Sequence, residues 1–190
     1  MAMNYSDMIT DRAVERSWLK DTAVVVGASI IIALFAHISI PLPFSPVPLA
    51  TQGHVILLLA ALLGSKRGSL AVLTFLLQGA VGFPVFSTGK AGLLFMAGPT
   101  GGYLLGYLVA AFVTGYCIER MANRSTTKIF AALSLGNLIL YVFGLPWLSR
   151  FVGWEAAFTL GFFPFIIGDV FKLIVATKGF NRVSLSKRAL

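Results

Sequence analysis

Six apolar stretches follow one another along this sequence, separated by segments rich in Pro, Gly or charged residues. The stretches predict helices at residues 23–40, 54–64, 69–83, 101–117, 129–145 and 156–177. Pro164 is an alternative first-turn residue for the last helix, because Pro fits well at the start of a helix. A bilayer core takes about 20 helical residues. The short second stretch therefore predicts a tilted helix, or one that the preceding proline-rich loop completes.

The composition places these helices in a membrane. Of the 190 residues, 57% are hydrophobic and 12% are charged, and the mean hydropathy is +0.87. Soluble domains carry a much larger share of charged residues, about 25%. The sequence therefore predicts an all-α membrane protein with six transmembrane helices, which form one domain over residues 23–177.

The positive charges are divided unevenly between the two ends of the predicted helices. Of the 15 Lys and Arg residues, 12 lie in the N-terminal segment, the loops after the second and fourth helices, or the tail. The other three are Lys90, Arg150 and Lys172. Because basic residues accumulate on the cytoplasmic side, residues 1–22 are predicted to form a cytoplasmic segment and residues 178–190 a basic cytoplasmic tail. Orientation and contact with the lipid membrane explain the net charge of +8, so no nucleic acid partner is predicted.

Two charged residues of opposite sign, Asp169 and Lys172, lie inside the sixth apolar stretch. They are three positions apart and therefore share one face of a helix. The pair could be purely structural. However, a buried ion pair rarely recovers its desolvation cost, and ionisable residues inside a membrane are functional candidates by default. An acceptor beside a donor suits a compact polar ligand group that has both N–H and C=O.

The three longer loops, PLPFSPVPLATQG, PVFSTGKAGLLFMAGPTGG and PWLSRFVGWEA, all lie opposite the basic loops. Elaborate loops on one side are typical of a binding site that opens there. Gln52, at the end of the first loop, either contacts a ligand or braces the turn. In GPTGGY, at residues 98–103, the N–H groups at the helix start could bind an anion, or the glycines could allow close helix packing.

Other polar residues fit structural roles better. Gln78, Asn137 and Tyr141 lie within or near apolar stretches, where hydrogen bonds between helices are the commoner role. His37 and His54 flank the first loop without a Cys or carboxylate pattern, so no metal site is predicted. The sequence has no nucleophile elbow, phosphate loop or carboxylate pair, so neither an enzymatic activity nor a cofactor is predicted.

Three segments resemble the BioY family of biotin-specific substrate-binding (S) components of energy-coupling factor (ECF) transporters: SIPLPFSPVPLATQ, GFPVFSTGKAGLLFMAGPTGGYLLGYLVAAF and PFIIGDVFKLIVA. The resemblance covers about residues 23–177. It implies the six-helix S-component fold and the uptake of biotin from outside the cell membrane. It also implies a transmembrane coupling subunit and two ATPase subunits as partners, although some family members act without them. ATP would be used only by the partners, because this chain has no nucleotide-binding motif.

The resemblance also implies roles for individual residues. Asp169 would accept a hydrogen bond from a ureido N–H of biotin, and Lys172 would donate to the same polar head. Phe86, Tyr103 and the GPTGG backbone would wall the bicyclic ring, and Lys90 would bind the carboxylate. The implied substrate-binding residues are Gln52, Phe86, Lys90, Gly98, Pro99, Thr100, Gly101, Gly102, Tyr103, Asp169 and Lys172.

Two features depart from the family pattern. In the first-loop motif Pro-x-Pro-x-Thr-x-Gln, Ala50 occupies the Thr position and Thr51 follows it. S components also tend to carry an Ala-x-x-x-Ala line on the first helix for docking to the coupling subunit, since small residues let helices approach closely. The nearest four-spaced pairs of small residues are Ala23 with Gly27 and Ser29 with Ala33.

The residues alone leave three alternatives to biotin uptake open. The chain could be an S component for another vitamin or cofactor precursor. It could be a small membrane enzyme that acts on a lipid or prenyl group, with Asp169 as the acid. It could also be a scaffold that only packs against partner subunits.

Overall fold

A long helix opens the part of the chain that the structure, a computed structural model, describes: the backbone of residues 5–186 and the side chains of residues 18–184. This helix, α1, runs from Tyr5 to His37 without interruption. It therefore continues through the boundary expected after residue 22. The side chains of residues 1–17 and 185–190, which belong to the predicted cytoplasmic segment and tail, lie outside the described part.

The other elements follow α1 in a mostly helical order with one small sheet. They are β1 Ser39–Leu42, β2 Ser45–Ala50, α2 Gln52–Leu63, α3 Ser65–Ala80, a 3-10 turn Ser87–Gly89, α4 Leu93–Met96, α5 Gly101–Glu119, α6 Thr126–Val152, α7 Trp154–Gly161 and α8 Phe163–Ser186. The main hydrophobic core is formed by α1, α2, α3, α5, α6 and α8. A smaller cluster joins β2 to α6, α7 and the start of α8.

Four stretches of the described chain are long and apolar enough to cross a membrane: Trp18–His37, Gly101–Glu119, Thr126–Val152 and Trp154–Ser184. The other two predicted spans correspond to α2 and α3, which have 12 and 16 residues. At 1.5 Å per residue, α2 is about 18 Å long, so it cannot cross a core of about 30 Å by itself. The short second helix expected from the sequence is confirmed, whereas the count of six spans and the cytoplasmic position of both termini stay predictions.

The segment that the sequence predicts as a proline-rich loop folds into an antiparallel hairpin, β1–β2. Ser39 lies opposite Ala50, and Leu42 lies opposite Ser45. Pro is tolerated here because a strand of a two-stranded ribbon pairs along only one side. Along β2, Ser45 and Val47 are buried and the residue between them is exposed. This alternation turns one face of the hairpin toward the helices.

The single sixth helix expected at residues 156–177 is two helices, α7 and α8. The chain leaves helical geometry at Phe162, with φ −128° and ψ −63°. The second helix then begins at Phe163, with Pro164 in its first turn, so the alternative start is confirmed. α6 also continues past its expected end at Leu145 and reaches Val152.

The glycines at the start of α5 allow α5 and α6 to pack closely. A Cβ on Gly102 would collide with Trp147 and with the backbone of Phe143. On the facing helix, a Cβ on Gly144 would collide with the ring of Tyr103. Of the two interpretations of GPTGGY, the structure therefore supports close helix packing.

Candidate ligand-binding site

A pocket lies beneath the hairpin, between α2, α5, α6 and α8, and is partly open to the protein surface. Its polar lining consists of Gln52, His54, Ser87, Thr100, Asn137 and Asp169. Its aromatic lining consists of Phe95, Tyr103, Tyr107, Tyr141 and Phe165. A mostly apolar cavity with a few polar groups is the usual form of a small-molecule site.

Asp169 is the centre of the polar contacts in this pocket, although it is only 7% exposed. Its Oδ2 accepts hydrogen bonds from the hydroxyl of Tyr141, at 2.5 Å, and from Nδ2 of Asn137, at 3.2 Å. Its Oδ1 lies 3.6 Å from Nζ of Lys172 and 3.6 Å from Nε2 of His54. Both of these distances exceed that of a good hydrogen bond. Oδ1 therefore keeps the capacity to accept a hydrogen bond from a ligand.

Lys172 shares a helix face with Asp169, as predicted, and forms the expected ion pair across one turn of α8. Its Nζ also donates to the backbone carbonyl of Ala50, at 3.2 Å. Lys172 is not among the residues that line the pocket. The side chain connects α8 to the end of β2.

The hairpin is fastened to the rest of the protein on three sides. Oγ of Ser45 donates to the carbonyl of Leu160 in α7, at 2.8 Å. The backbone N–H of Thr88 donates to Oγ of Ser39, at 3.2 Å. The bond from Lys172 to β2 provides the third attachment. Together these contacts hold the hairpin over the pocket.

Gln52 begins α2 and is 2% exposed. Its Nε2 donates to the hydroxyl of Tyr107 on α5, at 3.0 Å. Its Oε1 accepts from Oγ of Ser87, at the start of the 3-10 turn, at 3.4 Å. Gln52 thus connects two other segments of the pocket wall. It braces these segments, and not only the turn in which it lies.

The aromatic wall is formed by residues from several elements. Tyr103 lines the pocket, and its hydroxyl donates to the carbonyl of Gly161, at 3.0 Å. Its ring packs edge to face against Tyr141, with the ring centroids 6.5 Å apart. Tyr141 in turn packs edge to face against Phe162. Tyr103, expected to wall the ring of the ligand, thus lies in the pocket lining, and its contact with a ligand stays a prediction.

Several residues expected at the site lie behind its wall. Phe86 is fully buried and stacks on Phe95, with the ring centroids 5.4 Å apart, so that Phe95 is the ring that faces the pocket. The carbonyl of Gly98 accepts a hydrogen bond from Nε1 of Trp147, at 2.9 Å. Thr100 is the residue of the GPTGG segment that lines the pocket. The others, which serve packing and the helix start, are Gly98, Pro99, Gly101 and Gly102.

Lys90, expected to bind a carboxylate, is exposed and does not line the pocket. Its Nζ lies 5.5 Å from the centroid of the Phe95 ring. Because Phe95 is part of the wall, this places the ammonium group at the edge of the site and outside the cavity.

The two pairs of small residues expected to dock a partner differ in exposure. Ala23 is exposed, and a Cβ on Gly27 would meet nothing within 4 Å. Ser29 and Ala33 are buried, and Oγ of Ser29 accepts a hydrogen bond from Gln78 of α3, at 3.3 Å. The second pair therefore faces the protein's own core, and only the first pair is presented to a neighbour.

Sequence reasoning missed most of the residues around Asp169. The prediction that Asn137 and Tyr141 form hydrogen bonds between helices is correct. The acceptor of both bonds, however, is Asp169, the candidate site residue. Their spacing of four residues, which puts both on one face of α6, was the available signal. His54 and Tyr107 carry no comparable signal in the sequence. Among the described residues, no group of three or more His, Cys, Asp and Glu side chains could hold a metal ion.

The protein has a mostly helical membrane fold with a pocket beneath a hairpin, and aromatic rings and a few polar side chains line that pocket. These features define a membrane-embedded protein that binds a small ligand. The sequence model of the BioY family matches residues 6–187. This chain belongs to the BioY family.

Curated relatives are similar over most of their length. The chain is 41% identical to the "Biotin transporter BioY" of Rhizobium etli over 158 residues, which cover 78% of this chain and 84% of the relative. It is 41% identical to the "Biotin transporter BioY" of Thermotoga maritima over 147 residues, which cover 77% and 85%. It is 35% identical to the "Probable biotin transporter BioY" of Pyrococcus horikoshii over 157 residues, which cover 83% and 91%.

A solved structure supports the same fold. The crystal structure of the S-component for biotin from an ECF-type ABC transporter matches with a TM-score of 0.81 and covers 96% of this chain and 95% of that chain, at 24% identity. The S-component fold expected from the sequence is confirmed.

Proposed function

We propose that this chain is a transport subunit of the cell membrane that captures biotin for uptake, and that it is not an enzyme. The names of its relatives support the choice of biotin. One observation in the pocket carries the proposal: Asp169 has one oxygen occupied by Tyr141 and Asn137, and one oxygen without a close donor. A carboxylate prepared in this way suits a ligand that offers an N–H group.

Biotin has the matching chemistry. Its ureido ring carries two N–H groups and one C=O, and its second ring is an apolar thioether. One ureido N–H would bond to Oδ1 of Asp169, and the apolar ring would lie against Tyr103, Phe95 and Phe165, which line the pocket. A buried acceptor or donor left unpaired costs about 1–3 kcal/mol, so the site would reject analogues without the matching group.

Two lysines keep proposed roles near the ligand. Lys172 would act through its contacts with Asp169 and Ala50, holding the carboxylate and the hairpin in place, and not by direct donation to the ligand as first expected. Lys90 would bind the valerate carboxylate of biotin, by turning its flexible side chain from the outer face of Phe95 toward the pocket opening.

The proposed transport cycle needs partners. A transmembrane coupling subunit would dock against the surface of α1 that contains Ala23 and Gly27, because these positions leave room for a close approach. Two ATPase subunits would supply the energy, so ATP would act only on the partners and no cofactor would bind here. Both termini would face the cytoplasm, and the pocket would open to the outside.

Thermal melting of the purified protein tests the proposal. A ligand that binds only the folded state at 100 times its Kd stabilises that state by about 2.7 kcal/mol. Biotin should raise the melting temperature accordingly, while other vitamins and lipid head groups should not. A shift with another vitamin and none with biotin would assign the chain to a different S component, and a shift with a prenyl or lipid head group would favour the enzyme alternative.

A further inference from the structure

His54 is a buried polar side chain without a hydrogen-bond partner. It lines the pocket and is 7% exposed, and neither Nδ1 nor Nε2 forms a hydrogen bond within the described residues. Buried polar groups in native proteins are nearly always paired, because an unpaired one has lost its water without compensation. The ring of His54 is therefore able to bond to a molecule that enters the pocket.

The position of His54 relative to Asp169 defines what that partner must be. Nε2 of His54 and Oδ1 of Asp169 are 3.6 Å apart, so one small planar group can reach both atoms. In a ureido group, a C=O stands directly beside an N–H. When the N–H bonds to Oδ1, the carbonyl oxygen lies next to it and needs a donor. An ionised carboxylate can only accept hydrogen bonds, so the donor must be a different residue.

Lys172 is the other candidate for this donor, and its position counts against it. One of its three N–H groups donates to the carbonyl of Ala50, at 3.2 Å, and the other two could donate elsewhere, but Lys172 does not line the pocket. We infer that His54 is a specificity-determining residue of this pocket, and that one of its ring nitrogens donates to the ureido oxygen of biotin. This inference rests on the proposed function and adds a second recognition residue to it.

Two substitutions of His54 test the assignment in the purified full-length protein. His54→Phe keeps a flat ring but removes the donor, and His54→Gln retains an N–H group. Calorimetry should show that His54→Phe weakens biotin binding by about 5- to 150-fold, the equivalent of one buried unpaired group. His54→Gln should recover part of this loss. His37→Phe is the matched control, because His37 is exposed at the end of α1, and it should bind like the parent.

An analogue of biotin separates recognition from a merely structural effect. Replacing the ureido oxygen with sulfur makes a poorer hydrogen-bond acceptor, so the parent and His37→Phe should bind the analogue more weakly than biotin. His54→Phe should bind both ligands about equally. An equal loss for both ligands in His54→Phe, or an affinity like that of the parent, would overturn the role of His54. A parent that fails to bind biotin would overturn the proposed function, and this inference with it.

A spectroscopic measurement covers the case in which the His54 variants fail to fold. The chain has two His residues, so protein labelled with nitrogen-15 histidine gives ring signals from His37 and His54 alone. The His37→Phe variant identifies which signals belong to His54. Addition of biotin should move the ring signals of His54 and leave those of His37 in place. Unmoved His54 signals at saturating biotin would contradict the inference.

Discussion

The hydroxyl of Tyr141 on α6 donates a hydrogen bond to Oδ2 of Asp169 on α8, with 2.5 Å between the two oxygens. Asn137, one turn earlier on α6, donates to the same oxygen. Two donors on Oδ2 fix the orientation of the carboxylate and leave Oδ1 without a close donor. The proposed recognition of the ligand by α8 would therefore depend on residues of α6.

The combined substitution Asp169→Asn and Lys172→Met tests whether this pair binds ligand or only supports the fold. Replacing both members of a buried ion pair can be neutral for stability, so the double variant should remain monodisperse and melt near the parent. Its affinity for biotin should fall by at least about 2 kcal/mol, because a polar group of the ligand is then buried unpaired. Calorimetry measures the loss. A well-folded double variant with parental affinity would remove both residues from the site.

Tyr141→Phe should weaken biotin binding about tenfold. The substitution removes one hydrogen bond to a charged group, which contributes about 1.5–3 kcal/mol, and Asn137 remains to hold the carboxylate. Tyr116→Phe is the control, because Tyr116 is exposed on α5 and should bind like the parent. Equal affinities for the two variants would mean that Tyr141 does not position Asp169 for the ligand.

Lys90→Gln should weaken the binding of biotin about two- to fivefold, the range of a solvent-exposed ion pair. Biotin amide, whose tail is uncharged, should bind the variant and the parent alike. Arg150→Gln provides the control, since Arg150 is exposed in the last turn of α6 and contacts Trp147, and neither residue lines the pocket. If Lys90→Gln changes the binding of biotin and of its amide equally, the carboxylate is held elsewhere.

The orientation of the chain is testable with single cysteines in a background in which Cys117 is replaced by Ala. Thr88 and Asn123 are both exposed and lie in loops at opposite ends of the predicted helices. In intact cells, Thr88→Cys should react with a membrane-impermeant thiol reagent and Asn123→Cys should not. Lysed cells should label both. The opposite pattern would place the pocket on the cytoplasmic side.

Gly27→Leu should reduce biotin uptake by cells while the purified variant binds biotin with parental affinity. The physical reason is that Gly27 has open space around its Cβ position within this chain, so the larger side chain can obstruct only a neighbouring molecule. Leu105→Trp adds comparable bulk to an exposed position of α5 and should leave uptake intact. Loss of binding together with uptake would argue against a docking surface on α1.

The sequence was most informative where a residue conflicts with its surroundings. Asp169 and Lys172 are conspicuous because charge is costly in an apolar helix, and the structure does place Asp169 in the pocket. Asn137 and Tyr141 fit their surroundings as ordinary interhelical donors. Their acceptor is about 30 positions away, and a pattern of local spacing contains no information about such a contact.

The conformation of the loops was the other feature that the sequence did not predict. Pro residues in the first loop end α1 correctly, but the pairing of β1 with β2 depends on packing against α7 and α8, which no local propensity encodes. The glycines of GPTGGY supported two interpretations equally, because close helix packing and anion binding both need backbone without side chains. Only the position of Trp147 next to Gly102 separates them.

The three attachments of the hairpin, through Ser39, Ser45 and Ala50, also set a time scale. Widening the pocket opening by moving the hairpin requires the attachments on at least one side to break together, so a ligand too large for the existing opening should leave slowly even where individual bonds are weak. Entry faces the same delay, and association should therefore be slower than diffusion allows. A subunit that holds its cargo for long periods would have time to meet the proposed coupling and ATPase subunits many times before the cargo escapes.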